Sequence, residues 1–126
     1  MLRLNHVQAK GTHNSYPTWS LPRCWTHRLD TRMRHLDVQL SEQGVRQFEL
    51  DVHLRQDEGF EVFHIPLIDE ETTCRKLVDC LGVVKAWSDQ DPSHMPIMIW
   101  LEPKDEDADF LDDTLVPIFW ALRRAR

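Results

Sequence analysis

No run in this chain is long and apolar enough to cross a bilayer, and the polar, charged start after Met1 is not a signal peptide. The chain is therefore expected either to be cytosolic or to have had a leader removed. Positive charge is in short supply, with 15 Lys and Arg against 21 Asp and Glu and a formal net charge of −6. That balance argues against nonspecific nucleic-acid binding and gives no general attraction to an anionic membrane. The one basic cluster, Arg123, Arg124 and Arg126, suits a helix C-terminus better than a targeting signal. Cysteine is scarce too. Cys24, Cys74 and Cys80 form no CxxC pair and there is no HExxH motif, so neither a zinc ribbon nor a zinc hydrolase is favoured. If Cys74 lies in a loop ahead of a helix carrying Cys80, the two can bridge, which implies an oxidising compartment. Inside one continuous helix, two cysteines six apart could not meet.

What remains is an ordinary globular composition, 41% apolar and 29% charged over 126 residues, enough for one domain or part of one. The chain can be read around Val45 to His53. There Phe48, Leu50 and Val52 alternate with Gln47, Glu49, Asp51 and His53, the period-2 pattern of a strand with one apolar face. Ahead of it, Asn5–Lys10 reads as a first strand ending in the polar loop Gly11-Thr12-His13-Asn14-Ser15-Tyr16. Thr31–Gln43 reads as a helix closed by Gly44. After it come a turn at Gln56–Gly59, a short strand Phe60–His64, and an acidic loop from Pro66 to Thr73. An amphipathic helix follows over Arg75–Asp89, then an apolar strand Pro96–Leu101 with Glu102 at its end, and a helix opening at Asp105. Strands alternating with helices point to βα units and a parallel sheet, an α/β architecture. About three to four such units are present, with a hairpin-like excursion after residue 53. That is about half of an eightfold barrel, which normally needs about 250 residues.

Parallel strands bring their C-terminal ends to one rim, so residues distant in sequence converge there. His13 and Asn14 follow the first strand, Glu49 and Asp51 lie on the second, His64 ends the third and Glu102 ends the fourth. Asn14, Glu49, Asp51 and Glu102 offer oxygen ligands of the kind Ca²⁺ prefers, and two histidines beside them suit proton removal and delivery. A lone histidine ending a strand is more often structural, and a glutamate after a strand is usually solvated. The convergence of six carries the reading. Of the five tryptophans, Trp87 and Trp100 are expected to be buried, and Trp19 and Trp25 are the candidates for lipid contact.

The stretches KGTHNSY (10–16), QLSEQGVRQFELDVH (39–53), FHIPLID (63–69) and PIMIWLEPK (96–104) resemble the calcium-dependent phosphatidylinositol-specific phospholipases C. More broadly, they are similar to the X-type catalytic barrel of phosphoinositide phospholipases C. The resemblance implies the first half of a TIM barrel, residues 1–126 forming a single partial catalytic domain. By position, His13 and His64 match its catalytic histidines, and Asn14, Glu49, Asp51 and Glu102 match its calcium ligands. Lys104 resembles a contact to substrate phosphate. The implied reaction cleaves a phosphatidylinositol-type lipid at a membrane surface, by attack of the inositol's own 2-hydroxyl, giving diacylglycerol and a cyclic inositol phosphate. A secreted or extracellular location also follows from the resemblance. Since the family's barrel continues past its fourth strand, open barrel edges invite self-association. Two other readings stand beside this one: a glycerophosphodiester phosphodiesterase-like enzyme, and a truncated, non-catalytic fragment.

Overall fold

The computed structural model describes residue 3 and residues 6–17, 33–55 and 59–105. The tryptophan-bearing segment around Trp19 and Trp25, most of the expected Gln56–Gly59 turn, and the helix expected from Asp105 lie outside them, apart from Asp105 itself.

The architecture is mixed α/β and grows from one long strand, β2 (Val45–Arg55). Its alternation puts Phe48, Leu50 and Val52 on one face and Gln47, Glu49, Asp51 and His53 on the other. Strand β4 (Met98–Pro103) runs parallel along one edge, with Glu49 opposite Trp100 and Asp51 opposite Glu102. The other edge is shared. Strand β1 (Lys10–Thr12) lies parallel to its first half, Thr12 opposite Phe48. Strand β3 (Gly59–Val62) lies antiparallel to its second half, Val62 opposite Val52. At Gly11 the strands approach closely: a Cβ there would meet Gln47 Cβ at 3.3 Å.

Two helices, α1 (Leu36–Ser41) and α2 (Leu77–Gln90), contribute to the apolar core. Leu77, Cys80, Leu81 and Val84 recur at helical spacing on α2 and join Leu36, Leu40, Phe48, Leu50 and Val52 in one cluster. Each such side chain contributes roughly 1.5–3 kcal/mol by leaving water. The opposite face of the sheet keeps its polar and mixed residues, and these build the site.

Several boundaries differ from expectation. Strand β1 begins at Lys10 and runs through Gly11 and Thr12, which were expected in the loop. Helix α1 is shorter than Thr31–Gln43: His35 is extended, and the Gln39 amide takes the Arg34 and Ser15 carbonyls. Strand β3 stops at Val62, because Asp69 draws the chain from His64 into a turn. Strand β4 reaches Pro103, so Glu102 lies inside it. Trp100, expected to be buried, is 68% exposed on the polar face. Among the described residues the sheet is open and no barrel is closed.

Candidate metal centre and active site

The turn after β1 is built before any chemistry is asked of it. Asn14 takes the left-handed region, φ 46°, which asparagine tolerates better than most residues. Its backbone N–H donates to Glu49 Oε2 at 2.6 Å. Ser15 is fully buried and exchanges two bonds with Glu49: its N–H donates to the Glu49 carbonyl, and its hydroxyl accepts the Glu49 N–H. Thr12 Oγ1 donates to Gln39 Oε1, and Gln39 Nε2 donates to the Ser15 carbonyl, so α1 holds the turn against β2. The result places His13 Nε2 3.8 Å from Glu49 Oε2, with the imidazole 82% exposed.

Parallel pairing then does the rest. Because Asp51 faces Glu102 and Glu49 sits one step back on the same face, one oxygen from each carboxylate lies within 4.8 Å of the others. Like charges this close need a cation or a shared proton. Burial, with Glu102 and Asp51 nearby, pushes Glu49 above the usual carboxylate range, against the Asn14 N–H and His13. Glu102 is held below it, chiefly by its hydrogen bond from Lys104. Lys104 Nζ donates to Glu102 Oε1 at 2.6 Å and stands 3.2 Å from Asp51 Oδ2. Burial alone would lower the Lys104 pKa, but the Glu102 hydrogen bond and the Asp51 charge outweigh it and raise it.

Asp51 is the decisive residue. It is fully buried, and neither carboxylate oxygen has a hydrogen bond of normal geometry. The Tyr16 hydroxyl beside it likewise has no hydrogen bond of normal geometry, and burial together with Asp51 raises the phenol's pKa. The one ion-pair partner of Asp51 among the described residues is the Lys104 ammonium, which it shares with Glu102. Three clustered carboxylates are thus faced by a single positive charge, and buried negative charge left uncompensated is costly. Oxygens that share one Ca²⁺ at 2.3–2.6 Å lie at most about 5 Å apart, so the Glu49, Asp51 and Glu102 set fits that ion.

His64 is placed differently from the sequence expectation. It stands two residues past the end of β3, whose antiparallel pairing with β2 is the hairpin-like excursion expected after residue 53. Among the described residues its side-chain partner is Asp69, with Nδ1 3.1 Å from Asp69 Oδ2. Asp69 also adds, after Asp51 and Glu49, to the negative charge that raises the Tyr16 pKa. Lys104, expected at substrate phosphate, here neutralises the carboxylates. Asn14, expected as a ligand, meets the cluster through its backbone N–H. An open pocket of about 550 Å³ is lined by His13, Gln47, Glu49, Trp100 and Glu102 among others. Sequence reading missed Asp69, Tyr16 and Ser15. The last two fall inside the KGTHNSY motif, which was expected to be a polar loop carrying His13 and Asn14, whereas Ser15 and Tyr16 are fully buried.

A family model described as "Phosphoinositide phospholipase C, Ca2+-dependent" matches residues 53–124, more than half of the chain. The chain belongs to that family. The match takes in His64, Asp69, Glu102 and Lys104 of this phospholipase C family member, while His13, Asn14, Glu49 and Asp51 precede it. No curated protein and no solved structure matches the chain.

Proposed function

We propose that this chain cleaves phosphatidylinositol-type lipids to diacylglycerol and an inositol phosphate, the cyclic form first. Ca²⁺ would be held by Glu49, Asp51 and Glu102, with Asn14 as a fourth ligand. The observation that carries the reading is the fully buried Asp51, whose oxygens make no hydrogen bond of normal geometry and face one ammonium shared with Glu102. It is clustered with two more carboxylates, one of them 3.8 Å from the exposed His13. When bound there, calcium supplies positive charge against the negative charge that develops on the phosphodiester. His13 is exposed beside Glu49 and free to exchange a proton with a bound substrate. His64, backed by Asp69, supplies the second proton-transfer group. Attack by the substrate's own hydroxyl gains from proximity, because both reacting groups belong to one molecule.

Three features support the wider reading. Strands β1, β2 and β4 are parallel, as in the first part of this family's barrel. Leu67 and Ile68, 95% and 58% exposed, form an apolar tip on the loop that carries His64, which suits a lipid surface. The Cys74–Cys80 disulfide suits a secreted or extracellular protein.

The test begins with calorimetric titration of Ca²⁺ into the metal-stripped protein, with Asp51→Asn as control. Saturable binding that the variant loses is expected. Diacylglycerol release from phosphatidylinositol vesicles is then measured beside alcohol release from a deacylated glycerophosphodiester. Cleavage of the second substrate alone would replace this reading with a glycerophosphodiester phosphodiesterase. A folded protein that neither binds Ca²⁺ nor cleaves either substrate would leave a non-catalytic chain.

A further inference from the structure

His64 is held by its chain on both sides. Before it, His53 is buried, stacks on Phe63 with ring centroids 3.8 Å apart, and donates from Nε2 to the Phe63 carbonyl. After it, the chain folds back so that the Asp69 carbonyl accepts the N–H groups of both His64 and Ile65, at 3.2 and 3.1 Å. The Asp69 N–H in turn donates to the Ile65 carbonyl. The same loop is tied down further along, where the Thr73 N–H donates to the Tyr16 carbonyl at 2.7 Å. The backbone thus delivers the Asp69 side chain to one particular ring atom, His64 Nδ1, at 3.1 Å. Both side chains are largely sheltered, 21% and 10% exposed. An ionised carboxylate can only accept, so the ring nitrogen it faces must carry the proton.

We infer that Asp69 is a positioning residue that holds His64 in the Nδ1–H form, leaving Nε2 as the nitrogen that exchanges a proton with substrate. The inference rests on the phospholipase reading for the substrate, but the tautomer itself does not. Without Asp69 the ring is free to carry its neutral-form proton on Nε2, and it then meets the substrate with the wrong atom. A carboxamide in the same place removes the obligatory acceptor and offers an N–H of its own to Nδ1. Wrong-tautomer substitutions of this kind lower turnover while leaving the fold and the ligand site intact.

The experiment uses the full chain labelled with ¹⁵N-histidine, the His64 signals being identified by their loss in His64→Gln. Two-bond proton–nitrogen correlations of the neutral ring should show Nδ1 protonated and Nε2 bare in the wild type. In Asp69→Asn the proton should move to Nε2. The backbone bonds of residue 69 survive that change, and Ca²⁺ affinity by calorimetry should stay within about twofold. For phosphatidylinositol vesicles, kcat should fall ~100-fold or more with KM nearly unchanged. A wild-type His64 protonated on Nε2 overturns the inference whatever the variant does. So does an Asp69→Asn protein with unchanged tautomer and unchanged kcat. If the wild type shows the Nδ1–H form yet cleaves no inositol lipid, the phospholipase reading fails and the positioning of His64 by Asp69 stands.

Discussion

The ammonium of Lys104 stands 3.2 Å from Asp51 Oδ2, in the place where a cation is called for, and hydrogen-bonds Glu102 as well. It reaches there because Lys104 follows Glu102 by two positions and its N–H donates to the Val52 carbonyl, extending the β2–β4 ladder. A calcium ion entering the site must push this charge aside or share the carboxylates with it. Removing the ammonium therefore favours the ion. Lys104→Met should tighten Ca²⁺ binding by roughly 3- to 10-fold and destabilise the metal-free protein. Calorimetric titration decides the matter. An unchanged or weaker affinity would mean that Lys104 supports the site rather than competing for it.

Asp51→Asn should separate metal-free from metal-loaded stability. Without calcium, the substitution exchanges a buried carboxylate, crowded by Glu49 and Glu102 and faced by the one Lys104 ammonium that Glu102 also uses, for a neutral amide of the same shape. The folded state should gain on the order of 1 kcal/mol. With calcium at a hundredfold over its Kd, the wild type gains about 2.7 kcal/mol and the variant gains little. Urea unfolding with chelator and then with calcium should show the two proteins changing order. A variant less stable than wild type under both conditions would mean that Asp51 is needed for the fold itself.

The central strand and its carboxylates were legible because period-2 patterning is local: Glu49 and Asp51 share a face whatever lies around them. The partnership with Glu102 followed once a parallel neighbour was assumed. What sequence could not supply was anything set by a turn closing on itself. Asp69 reaches His64 only because the chain between them folds back, and nothing in the loop's composition marks that residue among the three consecutive acids Asp69, Glu70 and Glu71. Trp100 was misplaced for a related reason. An apolar run reads as buried on both faces, yet only the Ile99 and Leu101 side of β4 packs on the core. Glu102 was placed at a strand end because the apolar run stops there, whereas the ladder with β2 continues to Pro103.

The Cys74–Cys80 disulfide settles a question that spacing left open. Cys74 precedes α2 and Cys80 lies in its first turn, with their Cα atoms 5.3 Å apart. The bridge closes a short loop, so its effect on the unfolded chain is modest, about 2 kcal/mol in the chain-entropy picture. Replacing both cysteines by serine should lower stability by that amount. A reductant should lower the wild type equally and leave the double variant untouched. If the reductant shifts both proteins alike, the loss is not due to this bond.

Glu61 contributes stability that acid should remove. Its carboxylate is buried and receives Arg75 Nε and Nη2 at 3.0 Å each, with Arg55 Nε at 3.3 Å. The Arg75 hydrogen bonds, helped by Arg55 and opposed by burial, hold Glu61 below the usual carboxylate range. A depressed folded pKa means stability that is present in full above the unfolded value, near 4.5, and lost as pH falls through the folded value. Both arginines are partly exposed, which limits the contribution to on the order of 1–2 kcal/mol. Glu61→Gln should therefore be less stable than wild type at pH 7 by that amount, and the gap should narrow as the pH falls from 5 towards 3. Urea midpoints measured across that range provide the check. A gap that stays constant down to pH 3 would show that the carboxylate's charge contributes nothing and that the side chain acts by shape alone.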